Sequence, residues 1–405
     1  MKPARSIACL PIVATLLLAA GCASISIPYV SQATFMVTQS RSFTLAKSDR
    51  ALGWGFLSHP RIFEPQGKAV YIAWNTGGDY DGAVPLDELG SVAQALTSDG
   101  GKTWKLGKEA DYGSWSSSTT TYTVLGGSVR DLAGQVTFRY GLVFNPHPES
   151  NNEYSVSMGA RVNKQGEWSC PEEITCTTPK LVRPLLLSVR GVQRPDGSII
   201  LVGETTFEND VKSRTILLES TDGGRHFYYL STVATPEDVT WVGEWAYGFN
   251  GPCEPSIALL SSNELLCVMR TGVKQKSQWE PAKSALRMLQ ARSRDGGRTW
   301  SRKCLSIEGV YPKLLLMKNG ILVMAFGRPG NNLVFSADGG RSWSHELALS
   351  PADVRTSGYV DMAEVGRGRL LAVFDVYNYS LEGFWLWEPT EVNGVLGRFV
   401  NVWGR

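Results

Sequence analysis

Glu254 and Arg270 stand sixteen residues apart, in a segment that opens Cys253-Glu254-Pro255-Ser256-Ile257 and closes Leu265-Leu266-Cys267-Val268-Met269-Arg270. On two antiparallel strands these types form an ion pair; in a pocket the same types accept protons and grip anions. Arg328 lies in Phe326-Gly327-Arg328-Pro329-Gly330, where it can brace a Gly-Pro turn. Tyr359 lies in Ser357-Gly358-Tyr359-Val360-Asp361 and reads as a strand aromatic whose hydroxyl turns nucleophilic only beside a base. Gly77-Gly78-Asp79-Tyr80-Asp81-Gly82 puts two carboxylates in one Gly-rich stretch. Four His residues and no Cys-x-x-Cys pair argue against a zinc site. There is no phosphate-binding Gly loop and no Ser nucleophile elbow, and no cofactor is expected.

Residues so far apart need a rigid scaffold, and a repeated motif supplies it. Ser98-Asp99-Gly100-Gly101-Lys102-Thr103-Trp104 recurs as Ser220-Thr221-Asp222-Gly223-Gly224-Arg225-His226-Phe227. It recurs again at Ser293 to Trp300 and at Ser336 to Trp343. Each copy places Asp, a Gly two residues on and an aromatic five residues on. The Asp accepts hydrogen bonds from its own turn, and the Gly pair permits positive φ in a tight hairpin. A looser fifth copy runs from Asn163 to Trp168, so the Asp or Asn positions fall at 99, 163, 222, 295 and 338. That spacing suits four-stranded antiparallel sheets with variable loops.

This repeat resembles the Asp-box of sialidases and related β-propellers. The resemblance implies an all-β, six-bladed β-propeller with Asp-box hairpins. Five hairpins leave the stretch after Ser350 for one more blade, which an extended segment near Ala33 to Ala46 can close from the N-terminus.

Three further segments resemble sialidases in order and offset: Glu254 to Arg270, Arg328 ten residues before Asp338, and the Tyr359 segment leading into Arg369-Leu370-Leu371-Ala372-Val373-Phe374. The resemblance implies that Tyr359 is the nucleophile, Glu254 its base, and Arg270 and Arg328 clamps for a substrate carboxylate. The chemistry fits these types, because a carboxylate nucleophile would meet like-charge repulsion from a sialic acid, whereas a phenol is neutral until its proton leaves. Sialidases open with an aromatic-Arg-Ile-Pro segment carrying the first clamp Arg. Here Ser58 stands in that place before Pro60, and Arg61 lies three residues on. By the same resemblance the acid is Asp79 or Asp81. The implied activity is that of a retaining exo-glycosidase releasing a terminal sialic acid or related acidic sugar. A non-catalytic glycan-binding or assembly propeller, and a glycosidase or lyase acting on another carboxylated sugar, also fit the scaffold.

The chain opens with Lys2 and Arg5, then an apolar run from Ile7 to Ala20, then Leu18-Ala19-Ala20-Gly21-Cys22, which resembles a bacterial lipobox. Residues 1–21 are expected to be a lipoprotein signal peptide and 22–32 a tether after lipidated Cys22. Residues 33–405 are then one propeller domain on an exported, membrane-anchored lipoprotein. Without Lys2 and Arg5 the basic residues equal the 38 acidic ones, so no net basic charge calls for nucleic acid. The expected partners are sialylated or other acidic glycans, and the membrane through the anchor. Export permits disulfides, and Cys170 with Cys176, flanking a short loop, is the expected pair. His226 and His345 follow hairpins and are expected to be solvated.

Overall fold

The computed structural model describes residues 35–47, 56–66, 69–77, 91–108, 126–147, 150, 153–163, 168–240, 251–272, 287–376 and 394–404. Their regular secondary structure is almost entirely strand. The strands β1 (Phe35–Gln39) and β2 (Phe43–Lys47) precede a four-stranded sheet of β3 (Phe56–Gln66), β4 (Ala69–Gly77), β5 (Ser91–Thr97) and β6 (Lys105–Lys108). A ten-stranded sheet follows. It holds β7 (Gly127–Arg130), β8 (Val136–Tyr140), β9 (Val143–Pro146), β10 (Tyr154–Arg161), β11 (Glu172–Thr177) and β12 (Leu185–Leu187), then β13 (Arg190–Gln193), β14 (Ile199–Thr205), β15 (Arg214–Ser220) and β16 (His226–Ala234). Two more four-stranded sheets run in chain order, β17 (Cys253–Leu259), β18 (Leu265–Arg270), β19 (Arg287–Ser293) and β20 (Ser301–Glu308), then β21 (Val310–Leu316), β22 (Leu322–Gly327), β23 (Asn331–Ser336) and β24 (Ser344–Ser350). The last sheet joins β25 (Asp361–Gly366), β26 (Arg369–Val376) and β27 (Gly394–Gly404) to β1 and β2 from the other end of the chain, both antiparallel to β27.

The second strands of these sheets are near-continuous apolar runs because each is buried on both faces. In β18, Leu265, Cys267 and Met269 pack towards the preceding sheet, while Leu266 and Val268 pack towards the following one. In β22, Leu322, Met324 and Phe326 face back and Val323 and Ala325 face forward. In β26, Leu370, Ala372 and Phe374 face back, while Leu371 and Val373 meet Ile62, Ile72 and Trp74 of the first sheet. Alternation of period two thus lets one strand serve two apolar layers, and the last layer joins the end of the chain to its beginning.

Each of the four copies with Asp is the hairpin between the last two strands of its sheet, and the looser copy at Asn163 joins β10 to β11. Four hydroxyls, of Thr97, Ser220, Ser293 and Ser336, each donate to the boxed carboxylate at 2.7 Å and accept from the N–H of the second Gly. The first copy therefore begins at Thr97, not Ser98. At the second Gly of the third copy, Gly297, φ is 94°, which L side chains rarely adopt, and a Cβ there would also lie 2.4 Å from Leu217 Cδ2 on the neighbouring sheet. The Thr103 and Thr299 hydroxyls, with backbone N–H groups, hold Asp99 and Asp295 well below the usual carboxylate range. Asp222 and Asp338 lie below it too, although their burial opposes this. A depressed folded-state pKa gives stability that is complete above the ordinary value of 3.8 and fades as pH falls below it. The thermal midpoint should therefore drop on acidification, and Asp295→Asn should be less stable at neutral pH yet lose less on acidification, as read by circular dichroism melts.

Two expectations need correction. Cys170 and Cys176 are both free thiols. Cys176 faces the apolar layer of the ten-stranded sheet, where burial pushes it up to about 12, while Cys170 is exposed. Cys170 precedes strand β11, whereas Cys176 lies within it with its side chain in the apolar layer. His226 is not simply solvated either, because its ring nitrogens lie 2.5 and 3.0 Å from the Thr175 and Thr177 hydroxyls. His345 is exposed, with its ring 4.6 Å from that of Phe35.

Candidate active site

Three first strands share one irregularity. His59, Glu254 and Tyr311 have φ of 54°, 49° and 50°, each sits before a proline, and each lies where pairing to the second strand slips. Such bulges re-aim a side chain, and left-handed backbone at a non-Gly residue costs roughly 1–3 kcal/mol. Each of these residues has its N–H taken by a carboxylate from another sheet. His59 donates to Asp375 at 2.9 Å, Glu254 to Glu204 at 2.9 Å, and Tyr311 to Glu254 itself at 3.1 Å. Charge-assisted bonds of this kind offset the strain.

Glu254 is the centre of the cluster. Its Oε1 accepts from the Tyr359 hydroxyl at 2.5 Å and from Arg270 Nη1 at 2.9 Å, and its Oε2 accepts from the Tyr311 N–H. Burial pushes this carboxyl up, but the Arg270 charge, the Tyr359 hydroxyl and Arg328 together outweigh it and hold it below its ordinary value. Burial, then the Glu254 charge, raise Tyr359 well above its ordinary value. At rest the pair is therefore a carboxylate beside a protonated phenol, which is a base poised on a nucleophile.

The Tyr359 ring is fixed on two sides. Tyr311 stacks on it at 3.8 Å between centroids, and His59 meets it edge-on at 4.3 Å. Burial keeps His59 below its ordinary value, so its ring is neutral at neutral pH. Asp375 fixes the approach to Tyr359. Fully buried, it accepts from Thr356 Oγ1 at 2.6 Å, Ser357 N at 2.8 Å and Ser357 Oγ at 2.5 Å, as well as from His59.

Arg328 donates from Nε and Nη2 to the Ser357 carbonyl at 3.1 and 2.8 Å, so two of its nitrogens brace the Tyr359 loop. Arg270 Nε is buried with no hydrogen-bond partner among the described residues. Arg61 lines a small cavity with Ser128, Arg139, Arg190 and Asp361. Arg190 and Asp361 form a buried ion pair there at 2.8 Å. No cluster of three or more metal-ligating side chains occurs among the described residues.

The description "BNR repeat-like domain" matches residues 140–378. The chain belongs to this family. Solved structures agree with that membership in fold. A Dyadobacter fermentans DSM 18053 protein of unknown function is 16% identical with a TM-score of 0.58, over 90% of this chain and 99% of the other. The Hadza microbial sialidase Hz136 is 14% identical with a TM-score of 0.57, over 88% and 68%. A Penicillium chrysogenum α-L-arabinanase complexed with arabinobiose is 13% identical with a TM-score of 0.52, over 90% and 98%. No curated protein matches the chain in sequence. The BNR-repeat family expected from the Asp-boxes is thus the right one.

In this BNR-repeat protein Tyr359, Glu254 and Arg270 share one carboxylate oxygen, and Arg328 reaches them through the Ser357 carbonyl. Asp79, Asp81 and Cys22 lie outside the described residues. Sequence reasoning missed His59, Tyr311, Glu204, Asp375 and Lys313. One signal was present, because His59-Pro60-Arg61, Glu254-Pro255-Ser256 and Tyr311-Pro312-Lys313 repeat the same step at the start of first strands. A second was the acid near the end of an apolar second strand, Glu204 after Ile199-Ile200-Leu201-Val202 and Asp375 after Leu370-Leu371-Ala372-Val373-Phe374. Burial and then the Glu254 charge push Glu204 up to about 7.

Proposed function

We propose that this protein is a retaining exo-glycosidase of sialidase type, releasing a terminal sialic acid or related acidic sugar from glycans. The observation that carries the reading is the 2.5 Å between the Tyr359 hydroxyl and Glu254, with Arg270 on the same carboxylate oxygen. Glu254 takes the phenolic proton, Tyr359 Oη bonds to the anomeric carbon, and the bond to the leaving oxygen breaks. Asp79 or Asp81 protonates that oxygen. Asp79 or Asp81, now a carboxylate, takes a proton from water as the water attacks the anomeric carbon of the aryl glycoside, Tyr359 leaves, and Glu254 returns its proton to the phenolate, so configuration is retained. Arg270 and Arg328 grip the substrate carboxylate with the nitrogens that the protein leaves to them. The sialidase among the similar structures supports this reading.

A second reading takes a different sugar. It is favoured by Ser58 in the place of the first clamp Arg, by Arg61 lining the cavity of the Arg190–Asp361 pair, and by the two Arg328 nitrogens spent on Ser357. The arabinanase among the similar structures is consistent with it. Release of a fluorogenic aglycone from sialosides, uronosides and arabinosides by the purified protein separates the two. Turnover confined to sialosides supports the first reading, turnover of another glycoside alone supports the second, and none on any panel member favours the glycan-binding propeller.

The ten-stranded sheet supports a count of six blades. It divides into β7-β8-β10-β11 and β13-β14-β15-β16, joined by parallel pairing of β7 with β13 and β11 with β16. On this reading residues 33–405 are one propeller, residues 1–21 direct export, and 22–32 tether it to the membrane through lipidated Cys22. Incorporation of labelled fatty acid that survives Cys22→Ala would refute the anchor.

A further inference from the structure

Lys313 is 2% exposed, on the first strand β21, two residues beyond Tyr311. Its ammonium lies 3.8 Å from the centroid of the Tyr311 ring. Tyr359 lies 3.8 Å from the same centroid, stacked. Both cannot occupy one face of the ring at that distance, so Tyr311 is sandwiched between a cation and the aromatic whose hydroxyl meets Glu254. The Tyr311 N–H also donates to Glu254, so one residue touches every member of the group. An isolated cation in such a place is expensive, and apolar packing would suit the position better. The charged groups facing Lys313 come from several sheets: Asp361 from β25, Arg190 from β13, Arg61 from β3 and Glu254 from β17.

We propose that Lys313 is a positioning residue for the chemistry, its charge acting through the Tyr311 ring to favour negative charge on the Tyr359–Glu254 pair. The proposal rests on the glycosidase reading for its consequence. As the proton passes to Glu254, negative charge moves from a carboxylate paired with Arg270 onto a phenol ring stacked over the Lys313–Tyr311 contact. The same charge eases departure of Tyr359 when water cleaves the aryl glycoside. A cation on the face of an aromatic ring is held by the ring quadrupole, and buried charge acts through a lower dielectric than water. No bond to Lys313 forms or breaks.

Burial pushes Lys313 down to about 7, with Asp361 opposing and Arg190 and Arg61 assisting. The charge is therefore present below that pH and lost above it. Wild-type kcat should fall as pH rises through this region. Lys313→Met should lower kcat about tenfold on the acidic side, remove that limb, and leave KM nearly unchanged. Lys313→Arg keeps the charge and should hold its rate where the wild type declines. A Lys313→Met enzyme with wild-type kcat and an unchanged profile overturns the proposal, as does a Lys313→Arg enzyme as impaired as Lys313→Met with both variants folded by thermal melts.

A second readout needs no turnover. Carbon-13 NMR of ε-labelled lysine, assigned through Lys313→Arg, follows the Lys313 titration directly. Coupling is reciprocal, so Glu254→Gln, which removes a negative charge, should weaken the proton affinity of Lys313, by about threefold. An unchanged midpoint overturns the proposal. If the wild type hydrolyses no glycoside while the midpoint still moves, the coupling stands and only the glycosidase reading fails.

Discussion

Tyr359→Phe is expected to lower kcat by about a thousandfold, equivalent to roughly 4 kcal/mol of transition-state stabilisation, while leaving the fold intact. The substitution removes one hydroxyl and keeps the ring between Tyr311 and His59. Glu254 loses the donor at 2.5 Å but keeps Arg270 on Oε1 and the Tyr311 N–H on Oε2, so its buried charge stays compensated. The cost to stability is that of one charge-assisted hydrogen bond, about 1.5–3 kcal/mol. Rate and stability should therefore separate. Glu254→Gln should impair the same step by leaving the phenol protonated, but at a larger structural cost, because Arg270 would then be a buried cation without its partner. A mechanism-based fluorinated sugar should label residue 359, as located by peptide mass spectrometry. Full activity in Tyr359→Phe would sink the tyrosine mechanism whatever sugar is cleaved.

The parts of this molecule that were readable in its sequence are those with local or fixed-offset causes. An Asp-box closes its hydrogen bonds within a few residues, so Asp, Gly and aromatic recur at constant spacing wherever the hairpin does. Glu254 and Arg270 lie on one hairpin, β17 to β18, so their pairing also follows from an offset. The support of the site was not readable in the same way, because it crosses sheets far apart in the chain. His59 rests on Asp375 across 316 residues, and Tyr359 on Glu254 across 105. An acid inside an apolar run reads locally as a strand defect and becomes intelligible only when a left-handed N–H from the next sheet is seen to need it. Lys313 is harder still, since a Lys in Tyr311-Pro312-Lys313-Leu314 gives no sign of being buried. The Cys170–Cys176 expectation failed for a related reason: proximity in sequence carried no information about which way a strand turns each side chain.

Deletion of residues 35–47 is expected to destabilise the whole ring by about 5 kcal/mol or more, a large part of the roughly 5–15 kcal/mol available to a domain. Strand β1 pairs with β27 from Phe35 opposite Gly404 to Gln39 opposite Val400, and β2 pairs with its other end from Phe43 opposite Gly397 to Lys47 opposite Gly394. Phe35 packs into the layer containing Phe335 and Val402, while Leu45 and Ala46 pack into the layer shared with the first sheet. Burying a Phe and a Leu side chain is worth about 1.5–3 kcal/mol each, and the ladder bonds add to this. Arg398 would lose the Gln39 and Ser42 oxygens that it holds at 2.7 and 2.9 Å. The loss would not stay local. Strand β27 would become a free edge of eleven residues, open to pairing with other chains. The layer between last and first sheets also carries Leu371 and Val373, whose strand β26 holds Asp375 one residue before its end, the acceptor for His59 and the Tyr359 loop. A ring loosened at this seam should therefore lose activity at temperatures below its melting transition, in step with lost protection of the β26 amides in hydrogen exchange. An unchanged thermal midpoint in the deletion variant would show that the C-terminal strands close the sheet without the N-terminal pair.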